Sequence, residues 1–422
     1  AMYMKSGFSK FGHWLCFIVF VQLPAGLFAA GIVRQIEIVN DWEIHKQDEP
    51  VVVGLKDIDI DFDVRSVRVW DGEREIASQL DDLDGNGLAD ELAFVADIPP
   101  RSRKEFRIEF FSIDKPNDYT SRVYAEMLIS DPKGKHIPVR SLTVPASSYV
   151  YDHLHHHGPA FESELVAYRI YFDKKQTVDI YGKFTKRLEI EKSQFYPTDE
   201  QLAQGYGDDV LLVGNSCGLG TLKGWDGVQA THIENAEAFS ETICAYGPIR
   251  TVVDVRSHRW KYQGSDLQMT IRYILYAGHR DCEVQVYFSE PLKKEVFSTG
   301  LLKMKDSRSY SDHKGTLACW GTDWPVGDTV KYAKETVGLA ISLPDDLIRQ
   351  ETEDRYNDLY IIQAEGRCSF SYHIVFTSMK ESFGYKDADA WFEYVRQWTE
   401  GLKKKCHVKI WKNSIDNKYE GD

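Results

Sequence analysis

The chain has 422 residues and a formal charge of −14. That balance argues against nucleic acid as a partner, because phosphate backbones select basic surfaces. The seven cysteines are scattered without a C-x-x-C pair, which argues against a disulfide framework or a zinc knuckle and for buried apolar thiols.

Residues 1–30 read as an export signal. Lys5 and Lys10 form a positive start, an apolar stretch opens at Leu15, and the small residues Ala29 and Ala30 suit cleavage. Gln22 and Pro24 interrupt the apolar run, so it falls short of the roughly 20 clean residues a spanning helix needs. A periplasmic or otherwise exported protein with no membrane span in its mature form is expected.

Residues 31–115 read as a small β-sandwich. Ile32 to Ile38 alternates apolar and polar residues. Pro50–Val53, Val67–Trp70 and Phe106–Phe110 are further short strands between Asp, Gly and Pro clusters. Within this unit, Asp82, Asp84, Asn86 and Asp90 stand around two glycines. Oxygen ligands at alternate positions with a sharp Gly bend suit calcium, although Ala93 occupies the place of the expected bidentate Glu. A tight Asx-rich hairpin loop is the plain alternative. A linker over residues 113–122 follows.

Residues 116–422 read as one large β-sandwich domain with a C-terminal helix. Four of the thirteen histidines fall at 153, 155, 156 and 157. Imidazole exchanges protons near neutral pH and is a common metal ligand. If the run is extended, His153, His155 and His157 face one way and Leu154 and His156 the other. A divalent metal held by one or two of these with Glu162 or Glu164 is one reading, with no fixed ligand spacing to support it. Proton transfer is the other.

A hairpin runs from Tyr168 to Lys183. Arg169 and Tyr171 share a face opposite Tyr168 and Ile170; Asp179, Tyr181 and Lys183 share a face opposite Val178 and Ile180. That polar wall is either a solvated sheet face or the floor of a pocket, with Arg169 or Lys183 receiving a carboxylate. Beyond it, Gly-punctuated aromatic loops carry Tyr196, Tyr206, Asp208 and Trp225. Tyr206 is a candidate acid or base, and Trp225 a sugar platform. Asp208, His232 and Arg272 are further candidates for substrate binding. Last, Ala388, Trp391, Phe392, Val395 and Trp398 recur at helical spacing, with Asp387 or Asp389 as cap.

Several long segments carry a resemblance: His156 to Glu164, Ala167 to Phe172, Val178 to Lys183, Tyr196 to Ala203 and Gly205 to Val210. Together they resemble an exported family of unknown function found in bacterial polysaccharide-utilisation loci. The large unit is expected to be a mutarotase-like β-supersandwich. One member of that family is an oligosaccharide dehydratase of ulvan breakdown, which implies an enzyme that takes water from a terminal uronic acid and leaves a 4,5-unsaturated sugar.

For such a β-elimination, His156 or His157 is the expected base, Arg169 or a metal stabilises the developing charge, and Tyr168 or Tyr206 donates to the leaving hydroxyl. No cofactor beyond a divalent metal is called for. A polysaccharide lyase, a mutarotase- or epimerase-like enzyme and a non-catalytic glycan-binding protein are the alternatives.

Overall fold

The structure, a computed structural model, describes residues 30–410. The expected leader therefore lies outside the described residues but for Ala30. Among the described residues, no helix is long and apolar enough to cross a membrane. The fold is mainly β, a small N-terminal sandwich followed by a large one with a C-terminal helix.

The small unit packs two antiparallel sheets. One is five-stranded, in the order 407–410, 31–40, 102–111, 66–71, 74–76. The other is three-stranded, in the order 46–54, 91–98, 78–81. Period-2 alternation drives it: Phe106, Ile108 and Phe110 turn inward from one strand to meet Ile36, Ile38, Val51 and Phe94. One edge departs from the boundary read in the sequence. His407–Ile410 returns from the far end of the chain and pairs with the first strand, Ile36 opposite Ile410. Four residues gave too short a pattern to be read as a strand.

Ion pairs and hydrogen bonds tie the two units together. Arg250 of the large unit pairs with Asp81 at 2.7 Å and Glu91 at 2.6 Å. The Gln79 amide oxygen accepts from the Ile249 and Arg250 backbone amides. Arg122 bonds both Asp48 and Glu164.

In the large unit, a nine-stranded antiparallel sheet faces two smaller sheets across one core. The six-stranded partner has the order 208–209, 178–182, 167–170, 154–163, 123–129, 137–138; the five-stranded partner has 230–231, 223–225, 296–302, 357–363, 348–353. Tyr168, Ile170, Val178 and Ile180 fill the core from the six-stranded sheet, against Val253, Ile271 and Tyr273 of the large one. The residues between them in sequence point away from the core. The expected alternation of this hairpin is therefore present, and its outer face is polar.

The helix Ala388–Lys403 is capped by Asp387, whose carboxylate accepts from the Ala390 amide at 2.8 Å. Its Trp391, Phe392 and Val395 lie on Ala318, Ala340 and Val375 of the large sheet's outer face. Gly338 makes room, since a Cβ there would sit 2.7 Å from the Trp391 ring.

One core residue breaks the apolar pattern. Glu241 is buried on the strand Ala238–Tyr246, and among the described residues neither carboxylate oxygen has a hydrogen-bond partner. Burial, with Asp173 adding to it, holds this carboxyl well above the usual range. The folded chain thus keeps a proton that the unfolded chain releases near pH 4.5. Stability is lost as pH rises above that value. Glu241→Gln, which ionises in neither the folded nor the unfolded state, is expected to flatten this fall, read by urea unfolding at pH 4.5 and pH 7. Parallel curves for the two proteins would disprove it.

Candidate active site

The site begins as a backbone irregularity. His155 pairs with Leu128, but pairing resumes only at Ala160 opposite Glu126, so four residues stand against one. His156 and His157 absorb the excess in the left-handed region, at φ 48° and 66°. Each costs about 1–3 kcal/mol for a non-glycine residue, a strain that concentrates at functional sites. Gly158 follows where a Cβ would lie 1.9 Å from the Ile170 carbonyl oxygen, so only glycine fits. The extended alternation expected for the histidine run is thereby corrected: the three adjacent rings go to three environments.

His156 folds inward and is enclosed. Its Nδ1 donates to the Gly158 carbonyl at 2.8 Å and its Nε2 meets Glu126 at 3.1 Å. His157 stays half-buried. Its Nδ1 donates to the Tyr151 carbonyl at 2.9 Å, and the ring stacks on Tyr151 at 3.8 Å with planes 4° apart. A carbonyl only accepts, so the proton sits on Nδ1 and the Nε2 lone pair is free; no partner for it is found among the described residues. His155 stacks on His136 at 4.0 Å and meets the Tyr196 ring edge-on at 5.5 Å. Burial pushes His155 down to about 4, with His156 and His136 adding to it. Burial also lowers His157, and the Arg169 charge works in the same direction against the Tyr151 carbonyl. Both rings are neutral at neutral pH.

Beneath them lies a guanidinium network on the outer face of the six-stranded sheet. Arg169 bonds Asp179 through Nε at 2.9 Å and through its second terminal nitrogen at 2.7 Å, and Asp209 at 2.8 Å. It also donates to the Tyr171 hydroxyl at 3.0 Å and the Tyr196 hydroxyl at 2.9 Å. The Phe195 ring covers the guanidinium at 4.2 Å. Burial, with Asp179 adding to it, lifts Asp209 well above the usual carboxylate range. The Tyr171 proton goes to Asp179 at 2.7 Å. The Tyr196 oxygen accepts from Arg169, and its own proton has no acceptor among the described residues. Tyr196 is thus a phenol with a proton to give.

The roof has its own support. Glu162 accepts from the Glu189 and Ile190 amides and pairs with Lys183 at 2.5 Å, which anchors the short helix Ile190–Ser193. Gln194 and Phe195, both at positive φ, then turn the chain so that Tyr196 overhangs His155.

Of the residues singled out in the sequence, the structure brings together His156, His157 and Arg169. It corrects several others. Tyr168 is fully buried in the core and its hydroxyl donates to the Arg280 carbonyl at 2.6 Å, since it faces the opposite side of its strand from Arg169. Lys183 is consumed by Glu162 and two carbonyls, so it cannot receive a substrate carboxylate. Arg272 grips Asp254 on the far face of the nine-stranded sheet. Tyr206 lies under Arg187 at 4.4 Å, away from the histidines. Asp208 sits at the sheet edge beside Gly182. His232 is beside Lys223, and Trp225 is on the five-stranded sheet. Sequence reading passed over Tyr196 as an actor, along with Asp179, Asp209, Tyr171, Glu126 and His136. Tyr196 opens the segment Tyr196 to Ala203, but nothing local reveals that Arg169 reaches it across 27 positions.

The carboxylates expected beside a histidine-bound metal are otherwise engaged: Glu162 with Lys183, and Glu164 with Arg122 and the Gly278 amide. In the small unit, Asp82, Asp84 and Asp90 bring their ligand oxygens within 4.8 Å of one another and could hold a hard cation. Asn86 is turned to its own loop, its oxygen accepting from the Leu88 amide. A cavity of about 590 Å³ abuts the candidate site, sharing Tyr151 and Tyr171 and reaching Lys174, Lys175 and Phe239.

A family model described as a domain of unknown function (DUF4861) matches residues 38–408. Among solved structures, a glycosyl hydrolase family 38 protein from Enterococcus faecalis aligns at TM-score 0.46 and 10% identity, over 91% of this chain and 48% of its own. An alpha-mannosidase from Enterococcus faecalis V583 aligns at TM-score 0.43 and 10% identity, over 92% and 46%. The chain thus spans about half the length of these structures. No curated protein matches it.

Proposed function

The chain belongs to the DUF4861 family, and from that premise we propose that it is a carbohydrate-active enzyme that removes water from the terminal uronic acid of an oligosaccharide. The supporting observation is the pairing of a free imidazole lone pair on His157 with a free phenol proton on Tyr196, on rings 6.4 Å apart. In this reading, His157 Nε2 takes the proton from C5, α to the carboxylate. The C5–H pair becomes the C4=C5 bond, the C4–O bond breaks, and Tyr196 protonates the departing hydroxyl to give water.

Arg169 acts as a positioning residue. Nε, Nη2 and one Nη1 proton are committed to Asp179, Asp209 and the two tyrosines, so it holds Tyr196 in place and has no pair of N–H groups left to grip a substrate carboxylate. Lys175 is the better anchor for the sugar carboxylate. It lies in the adjoining cavity, and among the described residues its ammonium bonds only the Gly214 carbonyl, at 3.3 Å. Exported localisation and an origin in polysaccharide breakdown, like that of the ulvan dehydratase, belong to the same proposal.

The test is spectroscopic. A panel of uronate-ended oligosaccharides is incubated with the protein, and absorbance is followed in the ultraviolet band of a conjugated unsaturated uronate. A rise with unchanged chain length supports dehydration. A rise with shortened chains replaces it with a lyase acting on the same acid–base pair. A flat trace over the whole panel overturns elimination altogether.

A further inference from the structure

Trp225 stands apart from the acid–base site, and its surroundings are organised. Its amide donates to the Tyr262 hydroxyl at 2.7 Å, and its carbonyl accepts from the Gln263 side chain at 2.9 Å. Gln263 in turn accepts from the Val296 amide at 2.9 Å, and the Tyr262 ring stacks on Trp260 at 4.2 Å. The indole is therefore carried on a backbone held from both sides. A site fixed in advance spends little of its binding energy on ordering.

A groove of about 670 Å³ opens beside it, lined also by Asn235, Lys261, Arg349 and Gln350. It shares no lining residue with the cavity at Tyr151. Lys261, Arg349 and Gln350 are exposed, and among the described residues neither cation has an ion-pair partner. The acid in the groove, Asp226, turns one oxygen to the Val228 and Gln229 amides, at 2.8 Å each. On a chain of charge −14, two unspent cations beside an indole make a locally basic patch that draws anions. The flat ring suits the apolar face of a pyranose, the guanidinium and ammonium suit its acidic group, and the Asn235 and Gln350 amides offer both donors and acceptors to hydroxyls.

We propose that this groove is a second glycan-binding surface, one that holds an anionic pyranose unit of the polymer at a distance from the reacting centre. The inference rests on the reading that the natural substrate is an anionic glycan. The anionic group is a carboxylate or a sulfate ester, and the two share the chemistry that Lys261 and Arg349 recognise.

The experiment is affinity electrophoresis of the full chain in gels containing an unsulfated uronan, a sulfated neutral glycan or a neutral glycan. Unmodified protein is expected to be retarded by at least one anionic polymer, and which one identifies the group. Trp225→Ala and the double variant Lys261→Ala/Arg349→Ala are each expected to weaken retardation at least tenfold. The double variant changes only exposed side chains, so its fold is secure. Equal retardation of the double variant and the unmodified protein would overturn the proposal, as would equal retardation by the neutral polymer. Turnover of short oligosaccharides by the unmodified protein is followed separately: its absence counts against the dehydratase reading and leaves the retardation result standing.

Discussion

His157→Asn lowers turnover of a uronate-ended oligosaccharide by roughly 10²–10⁴-fold, the usual contribution of a positioned general base, while the protein stays folded. Asparagine is chosen on two grounds. It tolerates the left-handed backbone better than most residues, and His157 sits at φ 66°. Its side-chain amide can also donate to the Tyr151 carbonyl in place of Nδ1. What it lacks is the Nε2 lone pair. If His157 were only a brace for Tyr151, this variant would work nearly as well as the original. The pH profile gives a second reading. The base must be neutral to accept a proton, and burial lowers His157 below the ordinary imidazole value of about 6.5. The acidic limb of kcat/KM is therefore expected below pH 6.5. A limb above 7 would assign the base elsewhere.

The hairpin shows what sequence pattern reads well. Strict alternation from Tyr168 to Tyr171 and from Val178 to Tyr181 put Arg169 and Asp179 on one face, because a strand has only two sides and one was apolar. The histidine run shows the opposite. Its alternation was equally visible, but three extra residues in the bulge send His156 inward and leave His157 at the surface. Consecutive left-handed histidines have no local signature; Gly158 was the one hint, and its close approach to the Ile170 carbonyl is a tertiary fact. Lys183 and Glu162 looked free because their partners are 21 positions apart. Tyr196 went unread for the same reason. Polar residues on a strand face announce a network; which of them spend their protons on each other is decided by contacts between distant segments.

Arg169→Met is the most damaging change to the fold that the site allows. Arg169 is almost wholly buried, and among the described residues it is the one cation bonded to Asp179 and Asp209. Removing one partner of a buried ion pair leaves an uncompensated charge and costs about 3–5 kcal/mol. The urea midpoint should fall accordingly at unchanged slope. The sign of the pH dependence follows from the same geometry. Without the guanidinium, Asp209, already lifted by burial and by Asp179, loses the charge that opposes the lift, so the folded variant keeps a proton that its unfolded chain releases near pH 4. Its deficit therefore widens as pH rises above about 4 and narrows below it. Adding Asp209→Asn to Arg169→Met removes one of the stranded carboxyls and should recover part of the loss, since the amide keeps an oxygen for the Leu211 amide at 3.1 Å. Turnover should not recover with stability, because Tyr196 still lacks the donor that holds its oxygen. A double variant that regains both would show that Arg169 serves the fold alone.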